Sequence, residues 1–187
     1  MILIVDNNDS FTFNIVESIR SVTEIPYSVI QSSHLTIEEV DKYQMIIFSP
    51  GPSLPDDFPI MNTILQTYYT QKPILGICLG HQAICSFFGS KLFQSQQVIH
   101  GFDSIITTDP SSVLFKGMTQ ITVGRYHSWS AVDIPPVLRI TATDPEGVIM
   151  GIEHQSLPIF GVQFHPESYI SQQGNQIFKN FIDAATL

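Results

Sequence analysis

The residues best suited to chemistry in this sequence surround a cysteine that lies between two glycines. Cys78 belongs to Gly76-Ile77-Cys78-Leu79-Gly80, which follows a short apolar run and precedes a segment with helical character. This is the setting of a nucleophile elbow, where a sharp turn holds the reactive side chain in a strained backbone conformation. Glycines fit two residues away because larger side chains would collide with the turn. The alternative interpretation is a buried cysteine in a glycine-containing turn.

The helix after the elbow would help the cysteine to react. Its N-terminus carries a partial positive charge, which favours the thiolate of Cys78 over the thiol. The free N–H of Leu79, the next residue, could bind an oxyanion. The second cysteine, Cys85, lies on the predicted helix between Ile84 and Phe87, and we interpret it as a core residue.

A cysteine nucleophile needs a base or a cationic partner, and His165 is the candidate. Of the six histidines, only His165 is followed at spacing two by a carboxylate directly after an apolar strand, in His165-Pro166-Glu167. Pro166 restricts His165 to an extended conformation, in which residues two apart point the same way. We therefore expect Glu167 to reach the imidazole and fix its tautomer, as the third member of a catalytic triad. The alternative is a surface His-Pro-Glu turn.

The first half of the chain predicts the elements that position the cysteine. Short apolar runs predict buried strands over residues 2–5, 27–30, 45–48 and 74–77. Between them, amphipathic segments predict helices that begin at Ser10 as N-cap, run from Pro59 to about Thr70, and extend through His81 to Phe88. This alternation predicts a parallel sheet flanked by helices, with the site at the carboxyl ends of the strands.

The second half predicts a different arrangement. Short strands separated by turn residues are expected over 104–108, 121–126, 137–142, 148–154 and 159–164. We expect mixed or antiparallel pairing among them, and a closing helix over 173–184. The fold prediction is therefore a single α/β domain over residues 1–187, with a mostly parallel central sheet and additional antiparallel strands in the second half.

Composition narrows the classes of function. Hydrophobic residues make up 43% and charged residues 13%, which is typical of a folded protein. The net charge of −9 without a basic run argues against nucleic-acid binding. The sequence shows no signal peptide or membrane span and no zinc pattern, so we expect a cytoplasmic protein with reduced cysteines and no metal. His81 and His127 are expected to have structural hydrogen-bonding roles.

Together, the elbow 76–82, the loop Ser49-Pro50-Gly51-Pro52 and the segment His165-Pro166-Glu167-Ser168 resemble the class I (triad-type) glutamine amidotransferases. The opening 6–14 and the segment 125–128 resemble more narrowly the small subunits of anthranilate synthase and aminodeoxychorismate synthase. The similarity runs the whole chain, with the motifs in the family's order.

The resemblance implies that Cys78 attacks the carboxamide of L-glutamine, with His165 as base and Glu167 orienting it. It also implies an oxyanion hole formed by the N–H groups of Gly51 and Leu79, and no cofactor. The residues implied to bind the substrate are Gly51, Pro52, Ser53, Gln82, Ser128 and Trp129. Because free ammonia is largely protonated in water, the acceptor site is expected on a partner, the large subunit of a chorismate-using synthase.

Four positions depart from the family pattern. Ser53 replaces a usual glycine, Trp129 a usual leucine, and Phe102-Asp103 a common Lys-Thr pair near the partner interface of relatives. Other interpretations remain open at this point. They are a free-standing cysteine hydrolase of γ-glutamyl substrates, a non-catalytic regulatory subunit, and the glutaminase half of another synthase, such as one for GMP.

Overall fold

The computed structural model describes residues 1–95 and 101–186 and contains a nine-stranded mixed sheet. Its parallel part joins β2-β1-β3-β4, the strands of the first half. These strands are β1 (Ile2–Asp6), β2 (Tyr27–Gln31), β3 (Met45–Phe48) and β4 (Ile74–Ile77). All four coincide with the predicted strands to within one residue.

Helices cover both faces of this parallel part, as predicted. They are α1 (Thr12–Val22), α2 (Pro59–Tyr68), α3 (Leu79–Phe87) and α4 (Gly174–Ala185). Alternate residues of β1 belong to two separate cores: Ile2 and Ile4 pack with α1 and α4, while Leu3 and Val5 pack with α2 and α3. A strand buried on both faces needs an unbroken apolar run, which is why the sequence pattern was readable.

The prediction that Ser10 caps α1 is wrong. The helix begins at Thr12, with Phe11 at the N-cap position and no capping side chain there. Two carboxylates instead accept hydrogen bonds from residues at the start of the helix. Asp9 Oδ1 accepts from the N–H of Phe11 at 2.8 Å, and Asp6 Oδ1 accepts from the hydroxyl of Thr12 at 2.8 Å.

The remaining strands extend the sheet from β4 in the order β4-β11-β10-β9-β6-β7. Of these, β11 is parallel to β4, and every later pair is antiparallel, so the predicted mixed pairing is confirmed. The strands are β6 (Phe102–Thr108), β7 (Gln120–Arg125), β9 (Leu138–Thr143), β10 (Ile149–His154) and β11 (Ile159–Val162).

Two strands that the sequence did not predict form a separate antiparallel pair. They are β5 (Lys91–Gln94) and β8 (Trp129–Val132), with Gln94 opposite Trp129. This pair lies over the carboxyl ends of the central strands and contributes residues to the cavity described below. No helix in the described ranges is long and apolar enough to cross a membrane.

Candidate active site

The turn between β4 and α3 has the geometry of a nucleophile elbow. Cys78 has φ 51° and ψ −99°, a left-handed conformation that is rare for a residue with a side chain. Its N–H donates to the carbonyl of Val162 on β11 at 2.8 Å, and its carbonyl accepts from the N–H of Gln82 at 3.0 Å. These two bonds fix the strained residue from both sides.

The flanking glycines are required by close backbone packing. A Cβ on Gly76 would lie 2.4 Å from the carbonyl carbon of Gly80. A Cβ on Gly80 would lie 2.6 Å from Cβ of Phe48, at the end of β3. The spacing of the two glycines therefore reflects the contact between strands β3 and β4 and the first turn of α3, as the sequence predicted.

Cys78 opens into a cavity of about 250 Å³ at the carboxyl ends of the central strands. Although the residue is only 6% exposed, it lines this cavity and is not sealed in the core. Most residues predicted to bind the substrate line it too: Gly51, Ser53, Gln82, Ser128 and Trp129. Gln94 and His127 also line it, whereas Pro52 and Leu79 are not among its lining residues.

His165 and Glu167 form a buried pair with its hydrogen bond in place. Nδ1 of the imidazole lies 2.7 Å from Oε1 of the carboxylate, and both residues are buried. The predicted contact is therefore present, but the predicted reason was wrong. The N–H of Ser168 donates to the carbonyl of His165 at 3.2 Å, so the segment forms a turn that brings Glu167 back to the ring.

This turn is held by the start of α4 and by the end of β7. Ser171 Oγ donates to the carbonyl of His165 at 2.6 Å and accepts from the N–H of Gly124 at 3.0 Å. The N–H of His165 in turn donates to the carbonyl of Gly124 at 3.0 Å. A Cβ on Gly174 would lie 1.7 Å from the carbonyl oxygen of Pro166, so only glycine fits there.

The electrostatics favour a protonated His165. Burial acts to lower the pKa of the imidazole, but the Glu167 carboxylate and the sulfur of Cys78 raise it well above its ordinary value. With Nδ1 bound to Glu167, the second nitrogen, Nε2, has no hydrogen-bond partner among the described residues. An imidazolium with one nitrogen on a carboxylate and the other free can stabilise a nearby thiolate and can later donate a proton.

Two aromatic rings pack against the same imidazole. The ring centroids of Phe11 and Tyr126 lie 5.1 Å and 4.9 Å from that of His165, both nearly edge-on. They exclude water from one side of the base and restrict its rotation. Nothing local in the sequence indicated that Phe11 would meet a residue more than 150 positions away.

A pair of glutamines lies beside the sulfur. Gln163 Nε2 is 3.6 Å from Cys78 Sγ, and Gln163 Oε1 accepts from Gln82 Nε2 at 3.3 Å. Gln82 Nε2 also donates to the carbonyl of Trp129 at 2.9 Å. Sequence reasoning missed Gln163. The available signal was a single polar residue inside the apolar segment 160–164, where an uncompensated amide would be costly.

His127, the histidine among the residues that line the cavity, is held neutral. Arg125 forms a buried ion pair with Asp144 at 2.6 Å and donates from Nε to His127 Nε2 at 3.2 Å. The donated bond requires an unprotonated Nε2, so the proton lies on Nδ1 and is donated to the carbonyl of Trp129 at 3.0 Å. Burial, and then the charge of Arg125, lower the pKa of His127 to about 4.

His81 and Cys85, the other residues with reactive side chains near the elbow, are both buried in the protein interior. His81 is fully buried, and burial lowers its pKa to about 3. Cys85 is fully buried within the core, and burial raises the pKa of its thiol to about 12, which makes it unreactive. No group of three or more His, Cys, Asp or Glu residues within the described ranges could hold a metal ion.

The predicted oxyanion donors are available. Among the described residues, neither the N–H of Gly51 nor that of Leu79 donates a hydrogen bond.

Ser53, which departs from the family's glycine, has φ 65°, a conformation that glycine adopts more readily. In the Phe102-Asp103 departure, Phe102 is 62% exposed at the start of β6. The neighbouring His100 lies outside the described residues.

Comparison with known proteins identifies the family. The model for "Glutamine amidotransferase class-I" matches residues 3–185. The chain belongs to the class I glutamine amidotransferases. This amidotransferase is 44% identical over 184 residues to the "Putative anthranilate synthase component II" of Haemophilus influenzae, with 97% of this chain and 95% of the relative covered.

Two further similarities are informative. The chain is 40% identical to aminodeoxychorismate synthase component 2 of Escherichia coli K12, with 97% of this chain and 99% of the relative covered. Among solved structures, a "putative gmp synthase subunit a protein" from Thermoplasma acidophilum has a TM-score of 0.89 at 25% identity, with 99% and 93% of the two chains covered. The predicted α/β architecture is thus that of a class I amidotransferase.

Proposed function

We propose that this amidotransferase is the glutaminase component of a chorismate-using synthase and that Cys78, His165 and Glu167 are its catalytic residues. The observation that supports this most strongly is the arrangement of the three side chains: Cys78 lines the cavity, while His165 and Glu167 form a buried, hydrogen-bonded pair whose imidazole interacts with the sulfur. Cys78 stands at a strained elbow, the Glu167 carboxylate and the sulfur of Cys78 both act on the pKa of His165, and Glu167 is bound to the far nitrogen of the ring.

In the first half-reaction, the Cys78 thiolate attacks the carboxamide carbon of L-glutamine. The N–H groups of Gly51 and Leu79 bind the oxyanion, because they are free and Gly51 lines the cavity with the sulfur. The carbon–nitrogen bond then breaks. Ammonia leaves with a proton from His165 Nε2, and a γ-glutamyl thioester remains on Cys78.

In the second half-reaction, neutral His165 takes a proton from water, and the hydroxide attacks the thioester. A second oxyanion forms in the same hole and collapses to release glutamate and the thiolate. Glu167 stabilises the imidazolium that forms in this step and holds its Nδ1–H. The net reaction consumes glutamine and water and produces glutamate and ammonia.

The amino-acid end of glutamine is assigned to the rim of the cavity. Gly51 and Ser53 come from the loop after β3, while Ser128 and Trp129 lie at the start of β8. Gln82 contributes indirectly as well as by contact, since its amide holds the carbonyl of Trp129. Trp129 in place of the family's leucine changes the rim but leaves a backbone contact possible.

The chemistry of ammonia is the reason to expect a partner subunit. Ammonia released into water is protonated and loses its nucleophilicity, so useful transfer needs an enclosed route to an acceptor site. The relatives named as component II or component 2 of anthranilate and aminodeoxychorismate synthases support a chorismate-using large subunit as that partner. Phe13, Phe102 and Tyr169 are among the large apolar side chains that are exposed in this chain and that a partner could cover.

The test is to mix the chain with each candidate synthase subunit, chorismate and glutamine, and to identify the product. We expect anthranilate, aminodeoxychorismate or both with the wild-type chain. With Cys78→Ser, we expect product from added ammonium salts but none from glutamine, because only the ammonia supply is lost. Product from glutamine with Cys78→Ser would contradict the assigned nucleophile.

A second candidate is the glutaminase of a GMP synthase, which the structural similarity to the Thermoplasma protein favours. The same assay, repeated with a GMP synthetase subunit, separates the two candidates.

Glutamine turnover that is already fast without any partner would instead favour a free-standing γ-glutamyl hydrolase. Absence of an adduct on Cys78 after treatment with a glutamine-like electrophile would favour a non-catalytic subunit.

A further inference from the structure

The loop that carries Gly51 is attached to the end of β1 by a buried asparagine. The N–H of Asn7 donates to Ser49 Oγ at 2.9 Å, and Asn7 Nδ2 donates to the carbonyl of Ser49 at 3.0 Å. Both residues have no solvent exposure. Two hydrogen bonds between residues 42 positions apart therefore fix Ser49 at the point where β3 ends.

Ser49 passes this restraint on to the next peptide. Its hydroxyl, which accepts from Asn7, donates to the carbonyl of Pro50 at 2.6 Å. The carbonyl of Pro50 and the N–H of Gly51 belong to the same peptide unit, which is trans. In a trans peptide these two groups point in opposite directions. A bond that holds the Pro50 carbonyl toward the buried Ser49 hydroxyl consequently holds the Gly51 N–H away from it.

Gly51 itself has almost no freedom to shift. A Cβ at this position would lie 2.6 Å from Cδ2 of Leu79 and 2.8 Å from Cβ of Asn7. The loop is therefore wedged between the end of β1 and the residue that follows the nucleophile. On its open side Gly51 lines the cavity beside Cys78, and its N–H is unbonded among the described residues.

We propose that Asn7 and Ser49 are positioning residues that set the direction of the Gly51 N–H and so preform one half of the oxyanion hole. The inference rests on the proposed function, because it needs an oxyanion at this place. Neither side chain touches the substrate. Asn7 holds Ser49, Ser49 holds the Pro50 carbonyl, and the orientation of that carbonyl determines where the donor on the other side of the peptide points.

The test compares two reactions of the same sulfur, of which only one forms an oxyanion. Glutamine hydrolysis, measured in the complex with the synthase subunit, requires the hole. Alkylation of Cys78 by iodoacetamide is a displacement at a saturated carbon and does not. For Ser49→Ala we expect kcat for glutamine to fall by at least ~10-fold, since complete loss of one oxyanion donor costs about 10²–10³. KM should change by less than roughly 3-fold, and the alkylation rate by less than about 2-fold.

Asn7→Asp provides a second variant with nearly unchanged shape. It replaces the donor Nδ2 by an oxygen that repels the Ser49 carbonyl, and it should show the same split between hydrolysis and alkylation. Ser112→Ala is the matched control, because this buried hydroxyl also accepts from a backbone N–H, that of Phe115, but lies in the β6–β7 connection. It should leave both reactions unchanged.

The outcomes separate this inference from the proposed function. If wild type hydrolyses glutamine and both variants retain full kcat, the positioning role is overturned and the function stands. If hydrolysis and alkylation fall together, the two residues only maintain the fold, and the inference is again overturned. If the wild-type complex hydrolyses no glutamine while its Cys78 is alkylated normally, it is the proposed function that fails.

Discussion

The proposed nucleophile and the proposed base of this site are held in place by different kinds of interaction. Cys78 is fixed by the backbone: a strained turn, two main-chain hydrogen bonds and glycines in contact with neighbouring chain segments. His165 is fixed largely by side chains, namely the carboxylate of Glu167, the hydroxyl of Ser171 and two aromatic rings. The elbow should therefore fail abruptly when altered, whereas the base should lose function gradually.

The largest effect is expected from Gly76→Ala. The added methyl group would lie 2.4 Å from backbone atoms of Gly80, which cannot move without displacing the elbow. We expect a loss of more than about 3 kcal/mol in the free energy of unfolding, measured by urea denaturation. Gly117→Ala is the control: it has φ 76° but open space, so it should cost only about 1 kcal/mol. Equal losses in the two variants would contradict steric control of the elbow.

Glu167→Gln should be the next largest effect, on activity and not on folding. The amide keeps the shape but removes the charge that raises the pKa of His165. We expect kcat for glutamine to fall by roughly 10²-fold. Because His165 must be protonated to expel ammonia, activity declines as pH rises through its pKa, and this decline should begin at lower pH in the variant.

The control for this variant is Glu153→Gln, which alters another buried carboxylate, one that pairs with Arg139 away from the cavity. It should leave the pH profile of kcat where it is in the wild type. A Glu167→Gln profile whose alkaline limb coincides with that of the wild type would exclude electrostatic support of His165 by Glu167.

The same division explains what the sequence could predict. The elbow could be predicted because the residues that form it are adjacent in the sequence: an apolar strand, two glycines around Cys78 and a helix. The His165–Glu167 contact was also predicted, but through an extended segment, whereas a turn closed by Ser168 produces it. The contacts of Phe11 and Gln163 with the catalytic side chains join positions far apart in the chain, so no local pattern indicated them.

The β5–β8 pair was missed for a related reason. Lys91–Gln94 and Trp129–Val132 are four residues each, and they pair across the 34 residues that lie between them. Short strands acquire their conformation from their partner more than from their own propensity. Gln94 reached the cavity through this pairing and was therefore absent from the predicted site.

A smaller effect concerns stability at acidic pH. The pKa of His127 is lowered to about 4 in the folded chain, against about 6.5 when unfolded. Between these values the unfolded chain binds the extra proton, so stability falls as pH drops from about 6.5 to 4, by roughly 3 kcal/mol for this group. His127→Asn keeps a donor for the Trp129 carbonyl and should flatten this dependence in urea titrations.

His34→Asn, the same substitution at an exposed histidine, is the matched control variant for that titration. His81 is buried in the same neutral form and continues to contribute to the slope, so the His127→Asn curve should be shallower but not flat. A slope identical to that of the wild type would mean that folding does not lower the pKa of His127.

The smallest effect is expected from Ser53→Gly. Serine at φ 65° carries backbone strain that glycine lacks, so the variant should gain about 0.5–1 kcal/mol in the free energy of unfolding. Ser130→Gly, in β8 without a positive φ, should lose stability and provides the matched comparison. A loss of stability in both variants would show that the Ser53 side chain contributes more than its strained backbone costs.

The most direct measurement of the central claim is mass spectrometry of the protein quenched in acid while it turns over glutamine. We predict a γ-glutamyl group on Cys78 in the wild type and none in Cys78→Ser. A γ-glutamyl adduct on any other residue, or turnover of glutamine by Cys78→Ser, would contradict the account of Cys78 as the nucleophile.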